Sequence, residues 1–284
     1  MKAAVLVETN APLVIEDVDL DPPKAHEVRV RIAAAGVCRS DLHFMRGEAV
    51  IPVPAVLGHE GSAVVSEIGE GVTRVAPGDH VILSFVPFCG QCKSCLTGHA
   101  NLCDTHLATG PNMFDGTRRL HLNGQDLAHM GKVACFAEEA VVPETGCFKI
   151  APDFPMEQAA LIGCSVTTGV GSVMFNAKVE PGATVAVVGC GGVGLNVLQG
   201  ARLAGARKII AVDVNDAALE FATRFGATDA VNPRQTDAVK AIKAMTDGGA
   251  DYTFEAFGSS ETVALAFESA RKGGTAIIVG LAAM

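Results

Sequence analysis

The chain has 284 residues, 49% of them apolar and 19% charged, which excludes a disordered protein and leaves room for one large domain or two ordinary ones. Lys and Arg number 22 against 31 Asp and Glu, a net charge of −9. Acidic surfaces repel phosphate backbones, so no nucleic-acid partner is expected.

The first half reads as β-rich. Its start, MKAAVLVETN, offers a short strand and lacks the features of a secretion signal. Residues 27–32 alternate strictly, with Val28, Val30 and Ile32 on one face. Apolar runs at 62–68 and 80–86 follow, punctuated by Pro52, Pro54, Gly69, Gly71 and Pro77-Gly78. Short strands with frequent turns predict a small barrel or sandwich-like β domain. Segment 87–131 is rich in Gly, Cys, Asn and His and has no clear period. It reads as a long functional excursion and not as a sheet.

The character changes near 165–180. Strands are predicted at 184–188, 208–213, 228–231, 251–256 and 274–279. Helices are predicted between them at 192–204, 215–225, 236–246 and 260–271. This alternation implies right-handed βαβ units around a parallel sheet of five strands. Two uncharged windows, 158–177 and 181–201, are long enough to span a bilayer. Gly, Ser, Thr, Asn or Gln interrupt both, so they read as buried α/β core, and no membrane partner is expected.

Nine cysteines are present, and four crowd into 89–103. Without a secretion signal, this favours a metal site in a reducing, cytoplasmic setting over disulfides. Cys89, Cys92, Cys95 and Cys103 match a closed, tetrahedral, structural zinc site. An iron–sulfur cluster is the alternative. A ferredoxin run places its fourth cysteine after three residues and before Pro, whereas Cys103 follows seven and precedes Asp104.

Gly189-Cys190-Gly191-Gly192-Val193-Gly194 follows an apolar strand and opens a helix, and Asp213 ends the next strand. In such a dinucleotide fingerprint, Gly189 makes the tight turn. Gly191 lets a pyrophosphate approach, and Gly194 lets helix and strand pack. Asp213 would accept from the ribose hydroxyls and repel a 2′-phosphate, favouring NAD over NADP. The alternative is a packing turn that binds nothing. Cys38, His59 and Cys164 stand in the phrases Gly36-Val37-Cys38-Arg39-Ser40-Asp41-Leu42-His43, Gly58-His59-Glu60-Gly61 and Gly163-Cys164-Ser165. Two cysteines and a histidine make an open, three-ligand zinc set. Spacing alone cannot assemble them, and each is also readable as a buried core residue.

With these phrases, the lobe and the glycine motif in order, the chain resembles the zinc-dependent alcohol dehydrogenases of the medium-chain dehydrogenase/reductase superfamily. The likeness runs from Met1 to the end. It implies a GroES-like β-barrel catalytic domain over 1–165, with the structural zinc lobe at 87–104. A Rossmann doubly wound parallel sheet over 166–284 would bind NAD. It implies two zinc ions: a catalytic one on Cys38, His59 and Cys164, and a structural one on the four lobe cysteines. Ser40 would contact the alcohol oxygen and begin a proton relay through the nicotinamide ribose to His43. Arg39 would pair with the pyrophosphate. Thr168, Gly192, Val193, Val279 and Gly280 would join the cofactor site. Asp41 would orient His59. Glu60 either approaches the metal from its other side or is structural. Phe85 either lines the substrate pocket or belongs to the core.

The resemblance implies interconversion of a small-molecule alcohol and its aldehyde or ketone, in a homo-oligomer if the full C-terminus is present. The chain departs from the family pattern in three places. Ala218 stands where a cofactor-binding Lys is frequent. Leu107 stands where the class that oxidises S-hydroxymethylglutathione carries an Arg, which weakens that alternative reading. Relatives also continue past residue 284, so a sixth strand and dimer contact are expected to be missing, and a truncated, non-catalytic zinc- and NAD-binding fragment is a further alternative. Cys135, Cys147 and Cys190 read as core thiols. His26, His80, His99, His106, His121 and His129 read as surface or loop residues.

Overall fold

The computed structural model describes residues 1–281. The chain divides into two compact units, Met1–Cys164 and Ser165–Met284.

The first unit opens with β1 (Lys2–Leu6), β2 (Val14–Asp17), β3 (Asp19–Leu20) and the long β4 (Glu27–Gly36). After a short helix, Arg39–Met45, come β5 (Ala55–Val56), β6 (Glu60–Ile68) and β7 (His80–Leu83). Beyond the cysteine lobe lie β8 (Leu120–Leu122), β9 (Gln125–Asp126), β10 (Ala128–His129), β11 (Glu139–Pro143) and β12 (Cys147–Lys149). Five of these form an antiparallel sheet in the order β11-β4-β6-β7-β12. The alternation in β4 works as expected: Val28 and Val30 are buried with Ala63, Val65, Val81 and Leu83. Smaller sheets run β10-β5-β1-β2 and β3-β8-β9.

One expectation is corrected here. Segment 87–131 is not free of sheet, because β8, β9 and β10 lie within it. Its Asn123-Gly124 pair takes φ values of 52° and 80° between Leu122 and Gln125, which pair across the hairpin. Positive φ at both central residues is what a two-residue hairpin needs, and Asn-Gly supplies it. Leu120 and Leu127 anchor the hairpin in the core.

The second unit carries β13 (Thr184–Val188), β14 (Lys208–Val212), β15 (Asp229–Val231), β16 (Ala250–Glu255) and β17 (Ala270–Ile278). They form a parallel sheet in the order β15-β14-β13-β16-β17. The central β13 is buried at every residue, as expected of a strand covered on both faces. Two apolar layers flank it, one on Val185 and Val187, the other on Ala186 and Val188. The edge strand β17 starts at Ala270, earlier than predicted, and pairs from there with β16.

The window 158–177 falls in one helical run, Met156–Ala177. It is the one helix among the described residues long and apolar enough to cross a membrane by length and composition. The window 181–201 divides between β13 and the helix Gly192–Leu203.

Candidate metal centre and cofactor site

Three separate stretches build the first site. Cys38 caps the helix Arg39–Met45, His59 and Glu60 stand at the start of β6, and Cys164 sits in a π-helical turn, Ile162–Val166. The donor atoms of Cys38, His59, Glu60 and Cys164 all lie within 4.8 Å of one another. A side chain at position 163 would collide with the Leu83 carbonyl oxygen, so Gly163 lets the turn bring Cys164 against β7.

Asp41 organises the set from behind. It is buried, accepts from the Cys38 N–H at 2.9 Å and the Gly58 N–H at 3.2 Å, and lies 3.4 Å from His59 Nδ1. Phe85 meets the His59 ring edge-on at 5.3 Å. The Cys164 thiol, by hydrogen bonding, holds Cys38 down at about 4, against its burial and with help from His59. Burial opposes the charge on His59, but Asp41 and Cys38 outweigh it and raise the imidazole to about 9. Burial, then the Cys38 charge, pushes Glu60 up. The bond to Cys38 pushes Cys164 up in turn. Two sulfurs, one imidazole and one carboxylate on a single centre are a donor set that suits zinc.

The second cluster is the lobe. The sulfurs of Cys89, Cys92, Cys95 and Cys103 also lie within 4.8 Å of one another. Cys92 Sγ is 3.4 Å from Cys95 Sγ and 3.9 Å from Cys103 Sγ. A tetrahedron of Zn–S bonds near 2.3 Å has an edge of about 3.8 Å, so the spacing fits one zinc ion. A four-iron cluster would separate its cysteines further, since each binds a different iron. Backbone N–H groups of Cys89, Cys92 and His106, and the Thr105 hydroxyl, donate to these sulfurs. Donors aimed at sulfur favour thiolates.

The third site lies at the C-terminal edge of the parallel sheet, where dinucleotides bind. Gly189 turns with a φ of 97°, and a side chain at 194 would collide with the Gly189 carbonyl oxygen. Gly191 and Gly192 are exposed at the start of the helix Gly192–Leu203, and a Cβ on Gly191 would project into open space. Asp213 accepts from the Cys190 N–H and the Asn215 N–H, each at 2.9 Å. It therefore braces the glycine turn. Val279 and Gly280 follow β17, and their N–H groups bond to the Glu255 carbonyl oxygen. The side chain of Glu255 is fully buried. One oxygen accepts from Phe257 N–H, Gly258 N–H and the Thr262 hydroxyl. Thr168 lies in the helical turn Thr167–Gly171, which packs against the helix Gly192–Leu203.

Ser40 Oγ lies 3.7 Å from Cys38 Sγ, and Arg39 is exposed. His43 is buried. Its Nδ1 bonds to Glu48, and its Nε2 has no partner among the described residues. Glu48 and Glu255 were not singled out by sequence. Glu48 is five residues from its histidine in a stretch with no period, and Glu255 ends a strand, ADYTFE, in which Asp251 and Thr253 are polar too.

Cys135, Cys147 and Cys190 are buried thiols, as expected. His129 is not a surface residue: it is buried, with Nε2 facing the Arg119 N–H at 3.4 Å. Burial, then the charge on Arg119, lowers it to about 3. Folding therefore favours the neutral ring, whereas the unfolded chain takes up a proton below about pH 6.5. The stability this ring contributes is complete above that pH. It is lost as pH falls toward 3, at up to about 1.4 kcal/mol per pH unit. Between pH 6.5 and 4, His129→Gln should show a shallower fall in thermal midpoint than the wild type. Parallel midpoint–pH curves would contradict this.

Residues 24–153 match the family model for the alcohol dehydrogenase GroES-like domain, and residues 192–284 that for zinc-binding dehydrogenase. The chain is 45% identical to alcohol dehydrogenase class-3 of Drosophila melanogaster, over 99% of its own length and 76% of the relative's. It is 44% identical to S-(hydroxymethyl)glutathione dehydrogenase of Saccharomyces cerevisiae, over 99% and 75%. Among solved structures, benzyl alcohol dehydrogenase from Acinetobacter calcoaceticus superposes with a TM-score of 0.92 at 34% identity, covering 100% of this chain and 77% of that one. The fold and the likeness define a zinc-binding oxidoreductase with a GroES-like and a Rossmann-like part. The chain belongs to the zinc-dependent alcohol dehydrogenases of the medium-chain dehydrogenase/reductase superfamily.

Proposed function

We propose that this chain interconverts a small alcohol and its aldehyde or ketone by hydride transfer with NAD. The observation that carries this is the convergence of Cys38, His59, Glu60 and Cys164 donor atoms within 4.8 Å. Cys38, His59 and Cys164 would hold the catalytic zinc with Glu60 within reach, and Cys89, Cys92, Cys95 and Cys103 the structural one. When bound, zinc supplies a Lewis acid that acidifies the alcohol, and NAD supplies the hydride acceptor.

The protein's own part is to position groups and move a proton. Ser40 accepts the alcohol proton and passes it toward His43, whose unpartnered Nε2 receives it while Glu48 holds Nδ1. Gly191, Gly192 and Val193 present backbone N–H groups at a helix N-terminus, which suits a pyrophosphate. Asp213 takes the ribose hydroxyls. The clustering of Cys89, Cys92, Cys95 and Cys103 suits metal ligation in a reducing, cytoplasmic setting. The test is zinc content together with NAD-coupled oxidation of a primary alcohol. Two zinc ions with turnover are expected, and a folded chain holding one metal or iron would refute the reading. A second reading, oxidation of an S-(hydroxymethyl)thiol, is favoured by the name of one relative, S-(hydroxymethyl)glutathione dehydrogenase of Saccharomyces cerevisiae.

Asp213→Ala should weaken NAD binding about 10- to 100-fold, through loss of a charged hydrogen-bond acceptor. NADP binding should weaken less or improve. Fluorescence titration with NADH and NADPH checks this, and a wild type that prefers NADPH would refute the role of Asp213. His43→Gln should lower turnover most below about pH 7, where hydroxide is too scarce to replace the relay. Zinc content should stay at two. Parallel pH–rate profiles would remove His43 from the relay.

A further inference from the structure

Glu255 ends β16 and makes two sets of bonds at the end of the sheet. Its carbonyl oxygen accepts from the Val279 N–H at 2.8 Å and the Gly280 N–H at 3.0 Å. Its side-chain Oε1 accepts from the Phe257 N–H at 2.8 Å, the Gly258 N–H at 2.7 Å and the Thr262 hydroxyl at 2.8 Å. Thr262 stands in the first turn of the helix Ser260–Ser269. Oε2 has no partner among the described residues and lies against Gly280, where a Cβ would come within 2.5 Å of it. The two held turns also meet directly, since a Cβ on Gly258 would sit 2.3 Å from the Leu281 carbonyl oxygen. The 256–258 turn then backs the glycine fingerprint. A Cβ on Gly189 would stand 3.2 Å from the carbonyl carbon of Ala256 and from the N and Cβ of Phe257. The Ala256 N–H bonds to the Val188 carbonyl oxygen at 2.8 Å. The ends of β13, β16 and β17 are thus tied together around one residue.

We propose that Glu255 is a positioning residue for the dinucleotide: it fixes the 256–258 turn against Gly189 and Gly280, and so sets the backbone on which the cofactor lies. The proposal rests on the alcohol dehydrogenase reading above and deepens it. Being fully buried, Glu255 acts through the turn and not by contact with NAD. The unpartnered oxygen is the first argument. A buried acceptor without a donor is costly, and native chains keep few of them. An apolar residue here would remove that cost but strip the Phe257 and Gly258 N–H groups of their acceptor. Location is the second. Dinucleotides bind beyond the carboxyl ends of parallel strands, and the backbone partners of Glu255 all lie there. Opposition is the third. Asp213 holds the Cys190 N–H from the β14 side, while the turn held by Glu255 packs on Gly189 from the β16 side. Each brace fixes one half of a turn that aims N–H groups at a pyrophosphate. Hydrogen bonds weaken steeply with misalignment, so a shift of this backbone is felt by the ligand.

The test titrates the zinc-loaded chain with NADH by fluorescence, beside steady-state kinetics with NAD and a primary alcohol. Glu255→Leu should raise the Kd for NADH and the KM for NAD about tenfold or more, the scale of one or two lost hydrogen bonds. The KM for the alcohol and the zinc content should match the wild type. Glu255→Gln keeps the reach and an acceptor oxygen, and should return both constants to within about threefold of the wild type. A merely structural role would lower the active fraction, and with it kcat, while leaving both KM values in place. Should Glu255→Leu fail to fold, Glu255→Asp withdraws the same carboxyl by one methylene and should reproduce the rise. Three results would overturn the proposal: variants that bind NADH as tightly as the wild type, KM values for both substrates that move together, or a Glu255→Gln as weak as Glu255→Leu or Glu255→Asp. A wild type that binds no NADH would defeat the dehydrogenase reading itself, whereas unchanged NADH binding in the variants would defeat this proposal alone.

Discussion

Cys164→Ser should leave a folded chain that keeps one zinc ion and has almost no activity. The loss of a soft ligand from the set Cys38, His59, Glu60 and Cys164 should release the metal that acidifies the alcohol. A Lewis acid contributes several kcal/mol of charge stabilisation in the transition state, so turnover should fall about a thousandfold or more. Folding should survive, because Cys164 sits in a helical turn whose backbone bonds do not depend on sulfur. The lobe cysteines are untouched, so the remaining zinc should resist weak chelators. Elemental analysis beside steady-state kinetics checks both halves. A variant that retains two zinc ions and wild-type turnover would remove Cys164 from the site.

Cys92→Ser should do the reverse: it should cost stability first and activity second. Cys92 lies within 4 Å of two other lobe sulfurs, so its loss opens the tetrahedron. Structural zinc contributes its binding free energy to folding directly, on the order of 10 kcal/mol in small zinc peptides. The lobe has few apolar contacts of its own: Leu96, Leu102 and Leu107 are all exposed. A net loss of about 4 kcal/mol would lower the thermal midpoint by roughly 10 °C in a unit of this size. Calorimetry and elemental analysis should show the lower midpoint together with one zinc ion. An unchanged midpoint would mean that the lobe folds without its metal.

Much of the second unit is legible in the sequence, because a parallel strand buried on both faces reads as a near-continuous apolar run, and Val185–Val188 is one, preceded by a Thr184 whose hydroxyl bonds to Asp251. The glycine motif is legible for the same kind of reason, since close backbone contact leaves no room for a side chain. The first site is different. Cys38 and Cys164 are 126 positions apart, and no period or spacing joins them; only the family likeness brought them together. The hairpin at 120–126 was open to discovery, because Asn123-Gly124 is a strong turn signal within a segment that otherwise has no period. The burial of Arg119 was not. Its guanidinium bonds to Glu27, 92 residues earlier, and to Asp115, and a residue count cannot show such pairing. Nor could composition separate His129, enclosed by the core, from histidines in exposed loops.

Asp41 has a consequence for how such a chain can evolve. One carboxylate holds the Cys38 N–H at the helix start, ties down the Gly58 N–H and faces His59 Nδ1. Drift at this position therefore alters a fold contact and a chemical one in the same step. A lineage under pressure for greater stability cannot adjust the first without detuning the second, and a lineage seeking new metal chemistry meets the opposite bind. Variation is left to neighbours with a single duty, such as the exposed Val37 and Val50. One side chain thus ties the helix start, the Gly58 turn and the His59 ring together, so a change at 41 reaches all three.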